Sequence, residues 1–169
     1  MQKAKKDRII IKSREKGIMD GKTICSNRAA YHEYFVLETV EAGIMLEGAE
    51  VKSMRLGNCQ LKDSFCFIEN GELFLKNMHI AVYDKAGVFN SKDSRRSRKL
   101  LLHKEEINKL YAKVSQKGLT LVPLKAYFKD ALIKIELGLC QGKHVYDKKR
   151  DKMEKDIKRE SERELKSYR

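Results

Sequence analysis

Apolar and polar positions alternate through much of the stretch from residue 25 to residue 142, with the period of two that belongs to strands. Segments 34–40, 43–55, 64–69 and 72–82 are rich in β-branched and aromatic residues with turn formers between them, and each is predicted as a strand. The clearest strand is 131–139: Ile133, Ile135, Leu137 and Leu139 share one face, and Leu132, Lys134, Glu136 and Gly138 the other. In 72–82 the apolar phase shifts from Leu73 and Leu75 to Met78, Ile80 and Val82, which predicts a bulge near Lys76–Asn77. Pro123 has no N–H for a ladder, so an edge position or a bulge is expected there. One stretch has helical spacing instead. In 103–118, Ile107, Leu110, Tyr111 and Val114 form one face; Glu105 and Glu106 suit the N-terminal end, Lys113 and Lys117 the C-terminal end, and Gly118 the C-cap. A shorter helix is expected around Asn27–Tyr34 and a further turn near Asn58–Lys62. Together these elements predict a mainly β fold: a small closed antiparallel barrel with one substantial helix and one or two short ones.

Both ends break the pattern. Residues 1–24 hold one short apolar patch, Ile9–Ile11, and from Asp147 onward the sizeable apolar groups are Met153, Ile157, Leu165 and Tyr168. That stripe is too narrow to dock firmly on a core. Opposite charges at i,i+4 (Asp151 with Lys155, Glu154 with Lys158, Glu162 with Lys166) each favour a helix by about 0.3 kcal/mol. The expected organisation is a basic, flexible N-terminal extension (1–24), a barrel domain (25–142), and a charged tail (143–169) that is disordered when free and helical when held.

Charge sharpens this division. The chain of 169 residues carries a formal +13 at neutral pH. Residues 1–16 contribute +5, residues 91–104 another +5 and residues 143–169 +4, so the remaining positions carry −1. The basic character thus belongs to two ends and one loop, and it points to a polyanionic partner, a nucleic acid or an acidic membrane surface. No apolar run approaches the roughly eighteen residues of a spanning helix, and the basic N-terminus leads into no signal-peptide core. A cytoplasmic protein is expected.

Reactive chemistry is sparse. The four cysteines (Cys25, Cys59, Cys66, Cys140) show neither CxxC spacing nor a flanking histidine. Free thiols, buried in the case of Cys66 and Cys140, are favoured over a zinc site or a disulfide framework. His32, His79, His103 and His144 are scattered, and no phosphate-binding, nucleophile-elbow or zinc-protease motif occurs. Nothing in the spacing of Asp63, Glu72 and Glu136 favours a metal-dependent nuclease over surface charge. Neither a catalytic site nor a metal, cofactor or small-molecule substrate is expected.

Binding chemistry remains. Arg95, Arg96, Arg98 and Lys99 crowd one loop and run directly into Leu100–Leu102, an arrangement that holds positive charge in a fixed place and suits phosphate recognition. Of the thirteen Phe and Tyr residues, Tyr31, Tyr127 and Tyr146 have polar neighbours and suit stacking on bases, whereas Phe35, Phe65, Phe67 and Phe74 are expected to be structural.

A series of ordered blocks closely resembles the small protein B family, the SsrA-binding proteins of bacterial trans-translation. The blocks are Asn27-Arg28-Ala29, His32-Glu33-Tyr34-Phe35, Glu41-Ala42-Gly43-Ile44, Gly48-Ala49-Glu50-Val51-Lys52-Ser53, Leu61-Lys62-Asp63-Ser64, Arg96-Ser97-Arg98-Lys99-Leu100-Leu101-Leu102, Gly118 to Leu124, Gly142-Lys143 and Tyr146-Asp147-Lys148. The resemblance covers roughly residues 25–150. It implies an oligonucleotide-binding-like (OB-fold-like) barrel and a non-enzymatic adaptor. Such an adaptor binds the tRNA-like domain of transfer-messenger RNA (tmRNA) and carries it to stalled ribosomes. There the tail enters the empty mRNA channel beside the small-subunit decoding centre, and ribosome rescue follows.

The same resemblance places the family's RNA-binding residues on Glu41, Leu101 and Lys134, with Arg96, Arg98 and Lys99 of the basic loop as further candidates. Decoding-centre contacts fall on Gly142, Lys143, Tyr146, Asp147 and Lys148, with His32 nearby in function. Lys134, on the non-core face of its strand, can meet phosphate, and Glu41 can accept from ribose hydroxyls or base amines. For Leu101, core packing is an equal alternative. The chain departs from the family pattern at Ser94, usually proline, at His144, usually a second fixed positive charge, and at Lys149, usually arginine. Residues 1–24 match nothing diagnostic. A general single-strand RNA-binding or ribosomal protein of the same barrel class is the main alternative.

Overall fold

The computed structural model describes residues 21–83 and 93–167, apart from the side chains at 116, 117, 155, 158 and 165–167. In chain order the elements are β1 (Thr23–Ser26), α1 (Arg28–Glu33), β2 (Tyr34–Ile44), α2 (Gly48–Arg55), β3 (Cys59–Gln60), β4 (Phe65–Glu69) and β5 (Glu72–Lys76). There follow β6 (His79–Ile80), β7 (Arg98–Leu101), α3 (Lys104–Lys117), β8 (Thr120–Lys129), β9 (Leu132–Gly142) and α4 (Val145–Ser167). Residues 1–20, most of the expected N-terminal extension, lie outside the described residues; Thr23 and Ile24 already stand in β1.

The fold is mainly β. Among the described residues, seven antiparallel strands form one sheet in the order β1-β8-β4-β5-β7-β2-β9, and β9 pairs again with β8, while β3 and β6 form a separate two-stranded ribbon. Two tight hairpins set the register. Asn70-Gly71 joins β4 to β5 and Asp130-Ala131 joins β8 to β9, and all four residues have the positive φ that such turns demand. The inward residues of the clean strand, Ile133, Ile135, Leu137 and Leu139, are buried with Leu73, Leu75, Leu100, Leu121 and Phe128. Ile107 and Leu110 of α3 pack into the same core. Gly138 is needed where it stands, since a Cβ there would lie 2.9 Å from Cys140 Sγ and 3.0 Å from Leu124 Cδ1.

The expected helices form with their caps. Asn27 accepts from the Ala30 N–H at the start of α1, the His103 N–H donates to Glu106 at the start of α3, and Gly118 (φ 60°) ends α3 in the left-handed region. Tyr111, grouped with Ile107 and Leu110 on one face of α3, is exposed where they are buried. Pro123 is accommodated by a register shift between Pro123 and Lys125, so the bulge alternative holds and the edge alternative does not.

Three expectations for the strands need correction. Segment 43–55 is not one strand: β2 ends at Ile44 and Gly48–Arg55 is α2. Glu50, Ser53 and Met54, at i, i+3 and i+4, face inward there, and that helical spacing outweighs the apolar run Ile44–Leu46. The phase shift at Lys76–Asn77 is a strand end rather than a bulge. Asn77 has φ 62°, and the following His79–Ile80 joins the other sheet, opposite Cys59–Gln60; the turn expected near Asn58–Lys62 appears on either side of that strand, at Leu56–Gly57 and Lys62–Asp63. Phe35 and Phe65, assigned to the core, are exposed; Phe65, Phe67 and Phe74 form a row of neighbouring rings, and Phe67 stacks on Phe74.

All four cysteines are free, with Cys66 and Cys140 buried as expected. Among the described residues no helix is long and apolar enough to cross a membrane.

Candidate nucleic-acid interface

The strands β2, β9 and β8 lie side by side, and their register brings distant residues together. Gly43 of β2 is opposite both Leu101 of β7 and Lys134 of β9, and Lys134 is opposite Tyr127 of β8. Glu41, two residues before Gly43, shares the face that Lys134 occupies. Glu41, Leu101 and Lys134 accordingly line one open cleft of about 530 Å³ together with Val40, Gly43, Leu102, His103 and Glu106. Leu101 is 49% exposed, so of its two alternatives core packing is ruled out. Its close approach needs Gly43, where a Cβ would sit 3.2 Å from Leu101 Cβ.

Glu41 is held by three cationic or polar neighbours. The Tyr127 hydroxyl donates to it, Lys129 Nζ donates to both oxygens at 3.0 Å, and Lys134 Nζ stands 3.9 Å away. The Tyr127 bond, followed by Lys129, keeps the Glu41 carboxyl below the usual carboxylate range. Burial and then the same bond push the Tyr127 phenol up. Glu41 is therefore a pre-set anionic acceptor inside a lysine-rich strip. Lys125 extends the strip, pairing with Glu136 at 2.9 Å and standing 5.4 Å from the Tyr127 ring centroid. Lys125 and Lys129 were not singled out from the sequence, although Lys125, Tyr127 and Lys129 alternate in the period of a strand face.

The basic loop behaves differently. Arg98 is fully buried at 0% exposure. Its guanidinium meets Glu50 Oε1 at 2.8–2.9 Å and donates to the backbone oxygens of Met78, Ser94 and Arg96. Arg96 grips the same carboxylate, at 3.0 and 2.5 Å. Burial opposes ionisation of Glu50, but the two arginines and its bond from the Glu47 N–H hold its carboxyl below the usual range. Lys99 pairs with Glu72. The expectation that Arg98 contacts phosphate is thus corrected: it is an internal strut with no open face. Arg96 and Lys99 are half-buried and engaged with carboxylates, outside the Glu41 cleft, and Arg95 is exposed.

A second group gathers at the other end of β2. Tyr34 is opposite Gly142, so the end of α1, the end of β9 and the start of α4 meet. His32, Gly142 and Tyr146 are exposed here, Tyr146 at 74%. Lys143 belongs to the same group but is turned inward, with its side chain 7% exposed. It pairs with Asp151 of α4, donates to the Tyr31 carbonyl at 3.1 Å and lies 4.7 Å from the Phe35 ring centroid. Asp147 accepts from the His144 N–H, and the Lys148 N–H donates to the His144 carbonyl, so both help to start α4. Nine residue steps of β2 separate Tyr34 from Gly43, roughly 30 Å along an extended strand. The two groups are therefore distinct faces on one rigid element.

Among the described residues no three His, Cys, Asp or Glu side chains cluster as a metal site.

Comparison with known proteins bears on the family of the chain. A family model described as "SmpB protein" matches residues 24–167. The SsrA-binding protein of Caldicellulosiruptor bescii is 54% identical over 149 residues, which are 88% of this chain and 94% of that one. That of Carboxydothermus hydrogenoformans is 55% identical over 146 residues, 86% and 97% of the respective chains. A solved chain from work described as "tmRNA-SmpB: a journey to the center of the bacterial ribosome" is 54% identical, with a TM-score of 0.60 over 71% of this chain and 84% of that one. The matched segment runs from β1 to the last residue of α4, and the chain belongs to the SmpB protein family.

Proposed function

We propose that the chain is an RNA-binding adaptor of trans-translation, which holds the tRNA-like domain of tmRNA and delivers it to ribosomes stalled without a stop codon. The observation that carries this reading is the convergence of Glu41, Leu101 and Lys134 on one cleft, from three strands far apart in sequence. Lys134 and the neighbouring Lys129 meet RNA phosphate, Glu41 accepts from ribose hydroxyls or base amines, and Leu101 offers an apolar contact. The chain catalyses no reaction itself; its two ends position one RNA against another. The return of the strand order from β9 to β8 supports a small closed barrel of the oligonucleotide-binding type as the platform.

The opposite end of β2 faces the ribosome. His32, Gly142 and Tyr146 contact the small-subunit decoding centre, and α4 enters the vacant mRNA channel. Lys143 acts there as an anchor, holding the root of α4 to α1 through Asp151 and the Tyr31 carbonyl. Farther along, Met153 and Ile157 are exposed, and side-chain pairing includes the surface contacts of Arg150 with Glu154 and Asp156 with Arg159. Such a helix gains little from the body of the protein. It unfolds in free solution and refolds against ribosomal RNA.

The test is reconstituted translation of an mRNA lacking a stop codon, with tmRNA present. Adding the chain is expected to start tagging of the nascent peptide; no tagging with active ribosomes and alanyl-tmRNA would refute the reading.

A further inference from the structure

Cys25 and Cys59, thirty-four positions apart, place their sulfur atoms 2.9 Å from each other. A disulfide needs about 2.05 Å, so the two are unbonded but already in contact. Cys25 lies in β1, opposite Ala126 of β8, and Cys59 lies in β3, opposite Ile80 of β6. The contact therefore joins the first strand of the main sheet to the separate two-stranded ribbon. Cys25 is half-buried and Cys59 is buried.

We infer that Cys25 and Cys59 form a redox modification site, which hydrogen peroxide oxidises to an intramolecular disulfide. The two thiols have different roles. The S–H of Cys59 and the N–H of Ala126 both donate to the Cys25 sulfur, and despite burial they lower its thiol below the ordinary range. Its bond to Cys25, then burial, push the Cys59 thiol up. Cys25 is the attacking sulfur and Cys59 the resolving one.

In the first step the Cys25 thiolate attacks one peroxide oxygen and the O–O bond breaks. Hydroxide leaves, takes up a proton as water, and Cys25 becomes a sulfenic acid. In the second step the Cys59 sulfur attacks the Cys25 sulfur and the S–O bond breaks. The departing hydroxide takes the Cys59 proton as a second water. Two thiols lose two electrons and the peroxide gains them. The new bond ties β1, and with it the root of the His32 helix, to the β3–β6 ribbon. Thiol reductants reverse it.

Cys66 and Cys140 serve as internal controls. Both are buried, and burial pushes Cys66 up and Cys140 to about 11.

The experiment treats the reduced, full-length chain with one equivalent of hydrogen peroxide, alkylates the remaining thiols and maps peptides without reduction. The expected product is a monomer with one cross-linked peptide pair, Cys25 with Cys59, while Cys66 and Cys140 stay reduced. Closing that loop is expected to raise Tm by about 10 °C, reversibly with dithiothreitol. In Cys59→Ser, the sulfenic acid is expected to persist on Cys25 and to be trapped by dimedone. A sulfenic acid accumulating on wild-type Cys25 without cross-linking, a disulfide-linked dimer, or oxidation of Cys66 as fast as Cys25 would each overturn the proposal.

Discussion

Tyr127 donates its hydroxyl to the carboxylate of Glu41 across the intervening strand β9, directly beside Lys134. This bond and the two from Lys129 fix the carboxylate and keep it ionised, so the acceptor that we propose for RNA is ordered before any ligand arrives. Preorganisation of this kind removes part of the ordering cost of binding.

Substitutions on this face are expected to weaken RNA binding in graded fashion. Lys134→Ala should raise Kd for the tRNA-like domain by about tenfold and lower the salt slope by about one. Glu41→Lys should cost at least as much, through loss of the acceptor. Tyr127→Phe, which leaves every charge in place, should raise Kd by about threefold. Titrations at fixed salt, with circular dichroism to confirm the fold, check all three. Unchanged affinity in both Lys134→Ala and Glu41→Lys would remove RNA from this face.

A different outcome is expected where Glu50 meets Arg96 and Arg98. Its folded carboxyl ionises below the unfolded value, so its contribution to stability is complete above about pH 4.3 and disappears as pH falls through the folded value. Tm should be level from about pH 8 to 5 and drop below about pH 4. Glu50→Gln leaves the buried Arg98 without its counter-charge and should cost about 3–5 kcal/mol at neutral pH. Thermal melts across pH should show that variant losing less on acidification than the parent chain. Equal acid sensitivity in both would mean that other carboxylates govern the drop.

The division of labour along β2 gives a third expectation. Truncation after Gly142 removes Tyr146 and α4 but leaves the Glu41 cleft untouched. The truncated chain should bind the tRNA-like domain within about twofold of the full chain and support no tagging in the reconstituted assay. Tagging by the truncated chain would detach α4 from the mechanism.

What the sequence made legible follows from the range of the forces involved. The strand through Ile133–Leu139 and the helix from Lys104 to Lys117 declare themselves by local period and by the caps at Glu106 and Gly118. Segment 43–55 misled because the apolar residues Ile44–Leu46 sit at the junction of a strand and a helix, where two periods overlap. Arg98 misled for another reason. Charge runs usually mark surface, and the partner that draws this one inside, Glu50, is distant in sequence. Likewise no local pattern joins Glu41, Leu101 and Lys134; long-range strand register does, and the family resemblance pointed to them first. Lys143 was legible as part of the group proposed to meet the ribosome but not as an inward anchor, because Tyr31 becomes its neighbour only when β9 meets α1, and Asp151 only when α4 forms.

The adaptor account stands or falls on RNA selectivity. Labelled tRNA-like domain should be bound by the full chain at about 0.15 M salt, where phosphate contacts alone bind weakly. The complex should then be challenged with elongator tRNA and with a random RNA of equal length. The account predicts that unlabelled tRNA-like domain displaces the probe at far lower concentration than either competitor, and that Lys134→Ala narrows the gap. Equal displacement by all three RNAs would contradict it, leaving a basic β protein that binds RNA without discrimination.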